Sequence, residues 1–283
     1  MKIPSRIEPL VEEGLVDEVV RQLMSGKEAT VYVVRCGSEI LCAKVYKDAR
    51  QHSFRQSTAY QEGRKVKNSR EGRARGKGTR FGRKMQQAAW QSAEVDALYR
   101  LAAAGVRVPK PHVCFEGVLL MELVTDAAGK AAPQLNDVEM SEATALECHA
   151  TLLDQIVVML CAGVIHGDLS EYNVLLGADG PVIIDLPQAV DAAGNSSAAA
   201  MLERDASNLA AHFGRFAPQL LVSEYGKEIW ALYQAGLLVP GIKLSGRVAR
   251  DERAADPGAV LHELALARKE AREEALERLA EQA

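Results

Sequence analysis

The sequence lacks the features that mark several large classes of protein. Its formal net charge of −4 at pH 7 argues against a protein whose whole surface attracts nucleic acid, although local basic patches are compatible with it. The longest apolar run, from Ile156 to Ile165, has about half the length of a membrane span, which favours a buried helix. The N-terminal segment MKIPSRIEPL has no apolar core of a signal peptide. These absences predict a cytoplasmic protein without a membrane segment.

Cysteine is also scarce, and its spacing matches no known framework. The chain has five cysteines, an odd number, and none of them belongs to a CxxC pair. Neither a set of disulfides nor a zinc site is therefore expected. We predict reduced thiols in the protein core for Cys36, Cys42, Cys114, Cys148 and Cys161.

The first third of the chain has the composition of a β-sheet. GLVDEVVRQL, EATVYVVRCG and EILCAKVYK are rich in Val and Ile, which favours strands. A helix is predicted for MQQAAWQSAEVDALYRLAAAG, with Gly105 as its stop. The next stretch, VRVPKPHVCFEGVLLMELV, predicts a hairpin with its turn near EG.

After Val124 the sequence becomes helical. A linker-like stretch, DAAGKAAPQLND, precedes a long helix for which Ser141 is a suitable N-cap, and further helices are predicted between residues 198 and 234. Between these helices, VIHGDLSEYNVLLGADGPVIIDLPQAV predicts a buried hairpin. The whole pattern predicts an α+β fold of two lobes, residues 1–124 and 125–240, followed by a tail, 241–283, with a charged helix.

Residues 50–84 differ from the rest of the chain. They contain twelve Lys and Arg residues against two Glu residues, and few aliphatic side chains, so we predict a flexible basic loop. Such a loop could neutralise several phosphates and bind RNA or a ribosomal particle. The alternative is a disordered insertion that carries autophosphorylation sites such as Ser53, Ser57, Thr58 or Ser69.

Three polar side chains flank the predicted hairpin in the second half of the chain. Asp168 follows the apolar run VIHG, Asn173 comes five residues later, and Asp185 ends the second strand. Carboxylate and amide oxygens that meet at the mouth of a hairpin suit magnesium, which keeps some of its water. The alternative is a set of ordinary turn residues, since Asp and Asn are common in loops.

The strand-rich half adds complementary groups. Gly26 and Lys27 lie at a turn where backbone amides can approach phosphate oxygens. Lys44 lies within an apolar strand and needs a partner, for which Glu94 on the following helix is the candidate, unless Lys44 simply points to solvent. A glycine turn, a strand lysine, a helix glutamate, HxDxxxxN and a second Asp occur in the order of the protein-kinase motifs.

Three segments, SGKEATVY, HGDLSEYNVLL and IIDLPQAV, resemble the RIO family of atypical serine/threonine protein kinases. No winged-helix domain is expected before the kinase region, so the resemblance is to the first subfamily, in a compact, bacterial-like form. It implies a bilobal kinase fold that binds ATP and magnesium, acts as a protein kinase or ATPase, and phosphorylates itself or a partner protein.

The resemblance also implies a role for individual residues. Asp168 would be the catalytic base, Asn173 and Asp185 would bind the metal, and Asp185 would carry a transient phosphoryl group. Lys44, held by Glu94, would contact the phosphates. The remaining nucleotide contacts would come from the glycine turn, the strand after it and the hinge MELV, in which Met121 is the gatekeeper: Gly26, Lys27, Val31, Met121, Glu122 and Val124.

The sequence departs from ordinary kinases at three points. Asp185 is followed by Leu186 and Pro187 instead of Phe-Gly, so a flipping gate is not expected. Position 167 is Gly instead of Arg, and no Ala-Pro-Glu motif follows.

Two other functions remain open. One is a small-molecule kinase of the aminoglycoside or choline type, for which the linker 126–137 is too short to form the usual helical insertion. The other is an RNA- or ribosome-associated assembly factor that uses ATP as a conformational switch.

Overall fold

The computed structural model describes residues 3–26, 29–47 and 93–248. Contacts divide the chain into two units, Met1–Arg247 and Val248–Ala283, and every described helix and strand belongs to the first unit. Lys27, the basic loop 50–84 and the charged helix of the C-terminal tail lie outside the described residues. The lobe boundaries expected from the sequence stay predictions.

Five antiparallel strands form the sheet of the N-terminal lobe, in the order β1-β2-β3-β5-β4. They are β1 (Glu18–Ser25), β2 (Ala29–Cys36), β3 (Glu39–Tyr46), β4 (Pro111–Phe115) and β5 (Val118–Glu122). A short helix, α1 (Glu8–Glu12), precedes them and was not predicted. Its Leu10, with the neighbouring Ile7, packs in a cluster with Val34 and Leu120 on one face of the sheet.

The turns of the sheet follow from local chemistry. The predicted EG turn joins β4 to β5, with φ values of 45° at Glu116 and 79° at Gly117. Two successive positive φ values are typical of the two-residue turns that suit the twist of a hairpin. The helix α2, described over residues 93–103, ends before Gly105, whose φ of 83° is the left-handed conformation typical of a residue just after a helix.

Three helices dominate the C-terminal lobe: α3 (Glu142–Cys161), α4 (Ala198–Phe213) and α5 (Tyr225–Gln234). The predicted N-cap is confirmed, because the Ser141 hydroxyl accepts a hydrogen bond from the Thr144 amide at 3.2 Å. By length and composition α3 could cross a bilayer, but half of its most apolar stretch is buried within the protein, as in a core helix. The expected α+β kinase-like fold is therefore confirmed.

The hairpin predicted between the helices consists of two separate strand pairs. β7 (Val174–Gly177) and β8 (Gly180–Ile183) form the hairpin itself, whereas β6 (Val164–Ile165) pairs with β9 (Val190–Asp191). Two loops, residues 166–173 and 184–189, therefore connect one strand pair to the other. These loops contain Asp168, Asn173 and Asp185.

The stretch predicted as a linker is ordered by specific contacts. Asp126 Oδ1 accepts hydrogen bonds from the amides of Ala128 and Lys130, both at 2.9 Å. Leu135, in a short 3₁₀ segment (Leu135–Asp137), is completely buried in the main core. The connection between the lobes therefore packs against the protein instead of running free.

The cysteine prediction is correct for the redox state and wrong in part for the location. All five cysteines are free thiols, but Cys114 and Cys161 are exposed. Cys42 fits the prediction, because burial raises the pKa of its thiol to about 12 and keeps it protonated.

Candidate active site

Lys44 lies at the centre of a charged cluster that joins the two lobes. Its ammonium donates to Glu94 Oε1 at 2.5 Å and to Asp185 Oδ1 at 2.8 Å. Only 12% of the Lys44 side chain is exposed. Burial alone lowers the pKa of Lys44, but the two carboxylates outweigh it and hold the pKa above its ordinary value. Lys44 is therefore charged, and the partner predicted from the sequence is the one that the fold provides.

Tyr46 completes this cluster and was missed at the level of sequence. Its hydroxyl donates to Glu94 Oε2 at 2.8 Å, and its ring centroid lies 5.6 Å from the Lys44 ammonium. The spacing of two residues along β3 was the available signal, because side chains at i and i+2 of a strand point to the same face. The two oxygens of Glu94 thus bind two different residues of one strand.

The first loop of the site is held by a buried histidine. The Asp168 amide donates to Nδ1 of His166 at 3.3 Å, and Nε2 of His166 lies 3.0 Å from the carbonyl oxygen of Ile184. Since Nδ1 accepts, Nε2 must carry the proton and donate to that carbonyl. His166 therefore connects the loop of Asp168 to the residue that precedes Asp185.

Asn173 connects the same two loops a second time. Its side-chain amide nitrogen donates to the Asp168 carbonyl at 2.7 Å, and its own carbonyl accepts from the Ile184 amide at 3.0 Å. With the nitrogen engaged in this way, the side-chain oxygen Oδ1 is the atom left to bind a cation. No hydrogen bond to Oδ1 occurs within the described part of the chain.

Asp185 lies in a backbone conformation that L residues rarely adopt, with a φ of 63°. Its side chain is 45% exposed, so its carboxylate is accessible to a ligand, unlike the buried carboxylate of Glu94. Burial works to raise the pKa of Asp185, but the charge and hydrogen bond of Lys44 prevail and hold the pKa below its ordinary value. Asp185 is therefore ionised.

These donors fit a magnesium ion. In residues 3–26, 29–47 and 93–248 there is no cluster of three or more His, Cys, Asp or Glu side chains that could hold a metal. One carboxylate and one amide oxygen are instead the small, hard set with which magnesium is bound when it keeps its waters and contacts phosphates. Asp185 and Asn173 are the residues that would hold it.

Hydrogen bonds connect the glycine turn to Lys47, the residue that follows β3. The Gly26 amide donates to the Ala29 carbonyl at 2.9 Å, while Lys47 donates to the Gly26 carbonyl at 2.5 Å and to the Ser25 hydroxyl at 3.2 Å. Val31 lies directly opposite Lys44 in the β2–β3 pairing. The strand residues predicted to contact a nucleotide are thus next to the charged cluster.

The predicted hinge is partly occupied by contacts within the protein. The Glu122 amide donates to the Lys110 carbonyl at 2.9 Å, and the Val124 carbonyl accepts from the Ala132 amide at 2.9 Å. The Val124 amide has no acceptor among the described residues and is the hinge donor left for a ligand. Met121, the predicted gatekeeper, is half-buried and packs against the main core.

Comparison with known proteins identifies the family of the chain. A family model, the RIO domain, matches residues 30–225, more than half of the chain. The chain belongs to the RIO family. The match covers Val31, Lys44 and every other candidate site residue after it, and begins just after the glycine turn.

Several RIO proteins resemble the chain along most of its length. It is 34% identical over 208 residues to the RIO-type serine/threonine-protein kinase Rio1 of Haloferax volcanii, which covers 73% of this chain and 67% of that protein. It is 33% identical over 186 residues to serine/threonine-protein kinase rio1 of Schizosaccharomyces pombe, covering 64% of this chain and 35% of the relative. For the human serine/threonine-protein kinase RIO1 the identity is 30% over 211 residues, covering 73% and 35%. The matched region spans well under half of the length of the yeast and human relatives.

Helix α4 of this RIO chain holds the loop of Asp168 by hydrogen bonds, and the sequence did not reveal this contact. Asp205 Oδ2 accepts from the Gly167 amide at 2.8 Å, and Oδ1 accepts from the Leu169 amide at 3.0 Å. Asn208 donates to the Leu169 carbonyl at 2.9 Å. The backbone on both sides of Asp168 is thus fixed by one helix face. In the sequence, only the helical spacing of polar residues along α4 could have indicated this contact.

The backbone conformation of the same loop explains why the RIO chain has glycine at position 167. The φ of Gly167 is 79°, a conformation in which arginine would be strained. The Arg204 guanidinium, from α4, donates to the Gly167 carbonyl. A cation therefore reaches this loop from the helix instead of from the loop itself.

The segment after Asp185 is anchored in the core. Leu186 is 1% exposed and belongs to the main hydrophobic cluster. Pro187, which follows, is buried as well. Withdrawing Leu186 would expose an apolar side chain of the core to water, which costs about 2 kcal/mol.

The carboxylate of Glu122 is engaged by hydrogen bonds within the protein. Arg107 binds it with two hydrogen bonds, of 2.8 Å and 2.7 Å, and the Lys110 amide adds a third at 3.1 Å. The hydrogen bonds from Arg107, more than any other contact, hold the pKa of Glu122 below its ordinary value. This ion pair ties the hinge to the segment that follows α2.

Proposed function

We propose that this RIO protein is an ATP- and magnesium-dependent serine/threonine protein kinase with ATPase activity. The observation that carries the proposal is the position of Lys44, which binds Glu94 and Asp185 while Asn173 and His166 hold the Asp168 loop beside them. A buried cation that binds a carboxylate on one loop, with Asp168 on the neighbouring loop, is the arrangement expected for binding and transferring a phosphoryl group. The acceptor is a hydroxyl of this chain, a hydroxyl of a partner protein, or water.

The nucleotide would lie between the hinge and the charged cluster. The Val124 amide is available to the base, and the Lys44 ammonium is available to phosphate oxygens. Asp185 and the side-chain oxygen of Asn173 would hold magnesium, which when bound neutralises charge on the phosphates. Asp185 has one oxygen on Lys44 and the other, Oδ2, left for this purpose.

Asp168 would act as the base. Its side chain is exposed to the cleft, whereas its backbone is fixed by the hydrogen bonds of its amide and its carbonyl. When a hydroxyl attacks the γ-phosphorus, its proton passes to the Asp168 carboxylate, the bond to the bridging oxygen breaks and ADP leaves.

Asp185 can serve this scheme as metal ligand or as nucleophile, and we propose the second role for the ATPase reaction. An oxygen lone pair of Asp185 attacks the γ-phosphorus and the bond to the bridging oxygen breaks. ADP departs, and Asp185 carries the phosphoryl group as an acyl phosphate. Water then attacks that phosphorus, gives a proton to Asp168, and releases phosphate with the carboxylate restored. The open exposure of the Asp185 side chain supports this step.

The two alternative functions receive less support. A small-molecule kinase of the aminoglycoside or choline type usually has a long helical insertion between the lobes that holds the substrate. The described connection from β5 to α3 instead holds a turn at Asp126 and a single 3₁₀ segment. RNA or ribosome binding through residues 50–84 stays a prediction.

The test is incubation of the purified protein with γ-labelled ATP and magnesium. We expect label on the protein or in free phosphate, a loss of at least about 100-fold in Asp168→Ala, and no loss in Asp154→Ala, an exposed aspartate of α3. Wild-type protein that produces neither labelled protein nor labelled phosphate would refute the kinase and ATPase assignment.

The covalent step has its own test. Hydroxylamine should release label from wild-type protein that was quenched in acid during turnover, because acyl phosphates react with it. Asp185→Asn should carry no hydroxylamine-sensitive label. If such label persists in Asp185→Asn, the nucleophile is another residue.

A further inference from the structure

The environment of Glu94 contains an uncharged donor as well as a cation. Glu94 is 5% exposed and Tyr46 is 6% exposed, so neither side chain can turn to water for a hydrogen bond. Lys44 binds one carboxylate oxygen and the Tyr46 hydroxyl binds the other. A buried carboxylate needs partners for both oxygens, and here the two partners come from the same strand.

This division of oxygens fixes the direction of the Glu94 side chain. With Tyr46 on Oε2, the carboxylate presents only Oε1 to Lys44. Without the hydroxyl, Oε2 would have no donor in its place, and the carboxylate would gain by rotating both oxygens towards the ammonium. Lys44 would move with it, because an ammonium has no fixed geometry of its own.

The constraint matters most when a ligand is bound. In the structure Lys44 has two carboxylate partners, Glu94 and Asp185. Asp185 is also the proposed metal ligand, so its hold on Lys44 weakens when the site is filled. Glu94 then becomes the main anchor of the ammonium, and Tyr46 is what keeps that anchor in place.

We propose that Tyr46 is a positioning residue for phosphoryl transfer, acting through Glu94 on Lys44. The inference rests on the proposed function, since Lys44 is taken to contact the phosphates of ATP. Tyr46 itself touches neither nucleotide nor acceptor. Burial and the charge of Glu94 raise the pKa of Tyr46, so the hydroxyl stays protonated and remains a donor throughout the physiological range.

The first test is Tyr46→Phe, which removes one oxygen atom and keeps the ring. We expect the kcat of ATP turnover to fall about tenfold, as for a lost hydrogen bond to a charged group, with the KM for ATP changed less than about threefold. Tyr32→Phe is the matched control, since it removes the same atom from a half-buried tyrosine on β2, opposite Ala43. It should leave both constants unchanged.

A double-mutant cycle separates positioning from a general effect on the sheet. In the Glu94→Ala background, Tyr46→Phe should lower the rate by less than about twofold, because the group through which Tyr46 acts is already gone. An equal fall in both backgrounds, or a Tyr46→Phe protein as fast as wild type, would overturn the inference. Wild-type protein without turnover would instead refute the proposed function.

A spectroscopic measurement tests the same contact without turnover. The ¹⁵N resonance of the Lys44 ammonium should shift in Tyr46→Phe and stay in place in Tyr32→Phe, in protein whose thermal unfolding shows that it is folded. An unshifted resonance in Tyr46→Phe would show that the hydroxyl does not set the position of Lys44.

Discussion

Asp205→Asn is the substitution that tests most directly how α4 controls the catalytic loop. Asp205 is 2% exposed and accepts a hydrogen bond on each oxygen, one from the Gly167 amide and one from the Leu169 amide. Asparagine has almost the same shape but only one accepting oxygen. One of the two backbone amides would therefore face an NH₂ group in place of an oxygen.

The size of the effect follows from these contacts. A hydrogen bond to a charged group contributes about 1.5–3 kcal/mol, and a buried donor left without a partner costs about 1–3 kcal/mol. We expect the free energy of unfolding to fall by about 3 kcal/mol. Because Asp168 lies between the two amides that Asp205 binds, the loss of either bond should displace it, and we also expect kcat for ATP turnover to fall about 100-fold, as for a reacting group displaced by about 1 Å.

Denaturant unfolding and ATP turnover measure the two consequences. Asp191→Asn is the matched control, because Asp191 also accepts two backbone amides, those of Ala193 and Gly194, both at 3.0 Å. Both of its bonds go to the same oxygen, Oδ1, which asparagine retains, and its side chain is 47% exposed. We expect this control to change stability by less than about 0.5 kcal/mol and turnover not at all.

Two outcomes would contradict this reasoning. If Asp205→Asn unfolds at the same denaturant concentration as wild type, the two bonds are not the ones that stabilise the loop. If it is destabilised but turns over ATP at the wild-type rate, they stabilise the fold without setting the position of Asp168.

Two further predictions concern ionisable side chains away from the catalytic loop. Burial lowers the pKa of His149 to about 4, below its unfolded value, so the stability present above pH 6.5 should be lost as the pH falls, by about 2 kcal/mol between pH 7 and pH 5. Denaturant unfolding at both pH values checks it, and His149→Phe should remove most of that difference. Arg107→Met should lower the free energy of unfolding by about 0.5–1 kcal/mol in low salt, because its ion pair with Glu122 is about one-third exposed and partly screened. The loss should shrink in 1 M salt, and a loss independent of salt would mean that packing, not charge, is responsible.

The sequence was most informative where a residue's needs are local. Segments rich in Val and Ile predicted β2 and β3, and the turn of the following hairpin was placed near EG. Glu94 could be named as the candidate partner of Lys44 because a cation in an apolar strand is costly unless it is paired. The motif HGDLSEYN then predicted the family, and the family match confirmed it.

The missed contacts share one physical property. Tyr46 and Glu94 are 48 residues apart, and Asp205 and Gly167 are 38 apart, so no short-range spacing joins them. A buried tyrosine or aspartate has many acceptable partners, and only packing selects one. The packing of the linker-like stretch after Val124 could not be predicted for the same reason, since Leu135 finds its place only in the assembled core.

The amino-acid sequence by itself determined most of the strands and helices along the chain, the charged groups of the site and the family to which the protein belongs. These follow from local periodicity and from the rule that buried charges come in pairs. Only the tertiary structure decided which oxygen of Glu94 meets Lys44, and that α4 holds both amides beside Asp168. Those choices depend on distances of about 3 Å between segments far apart in the chain, which are set when the two lobes and their helices pack together.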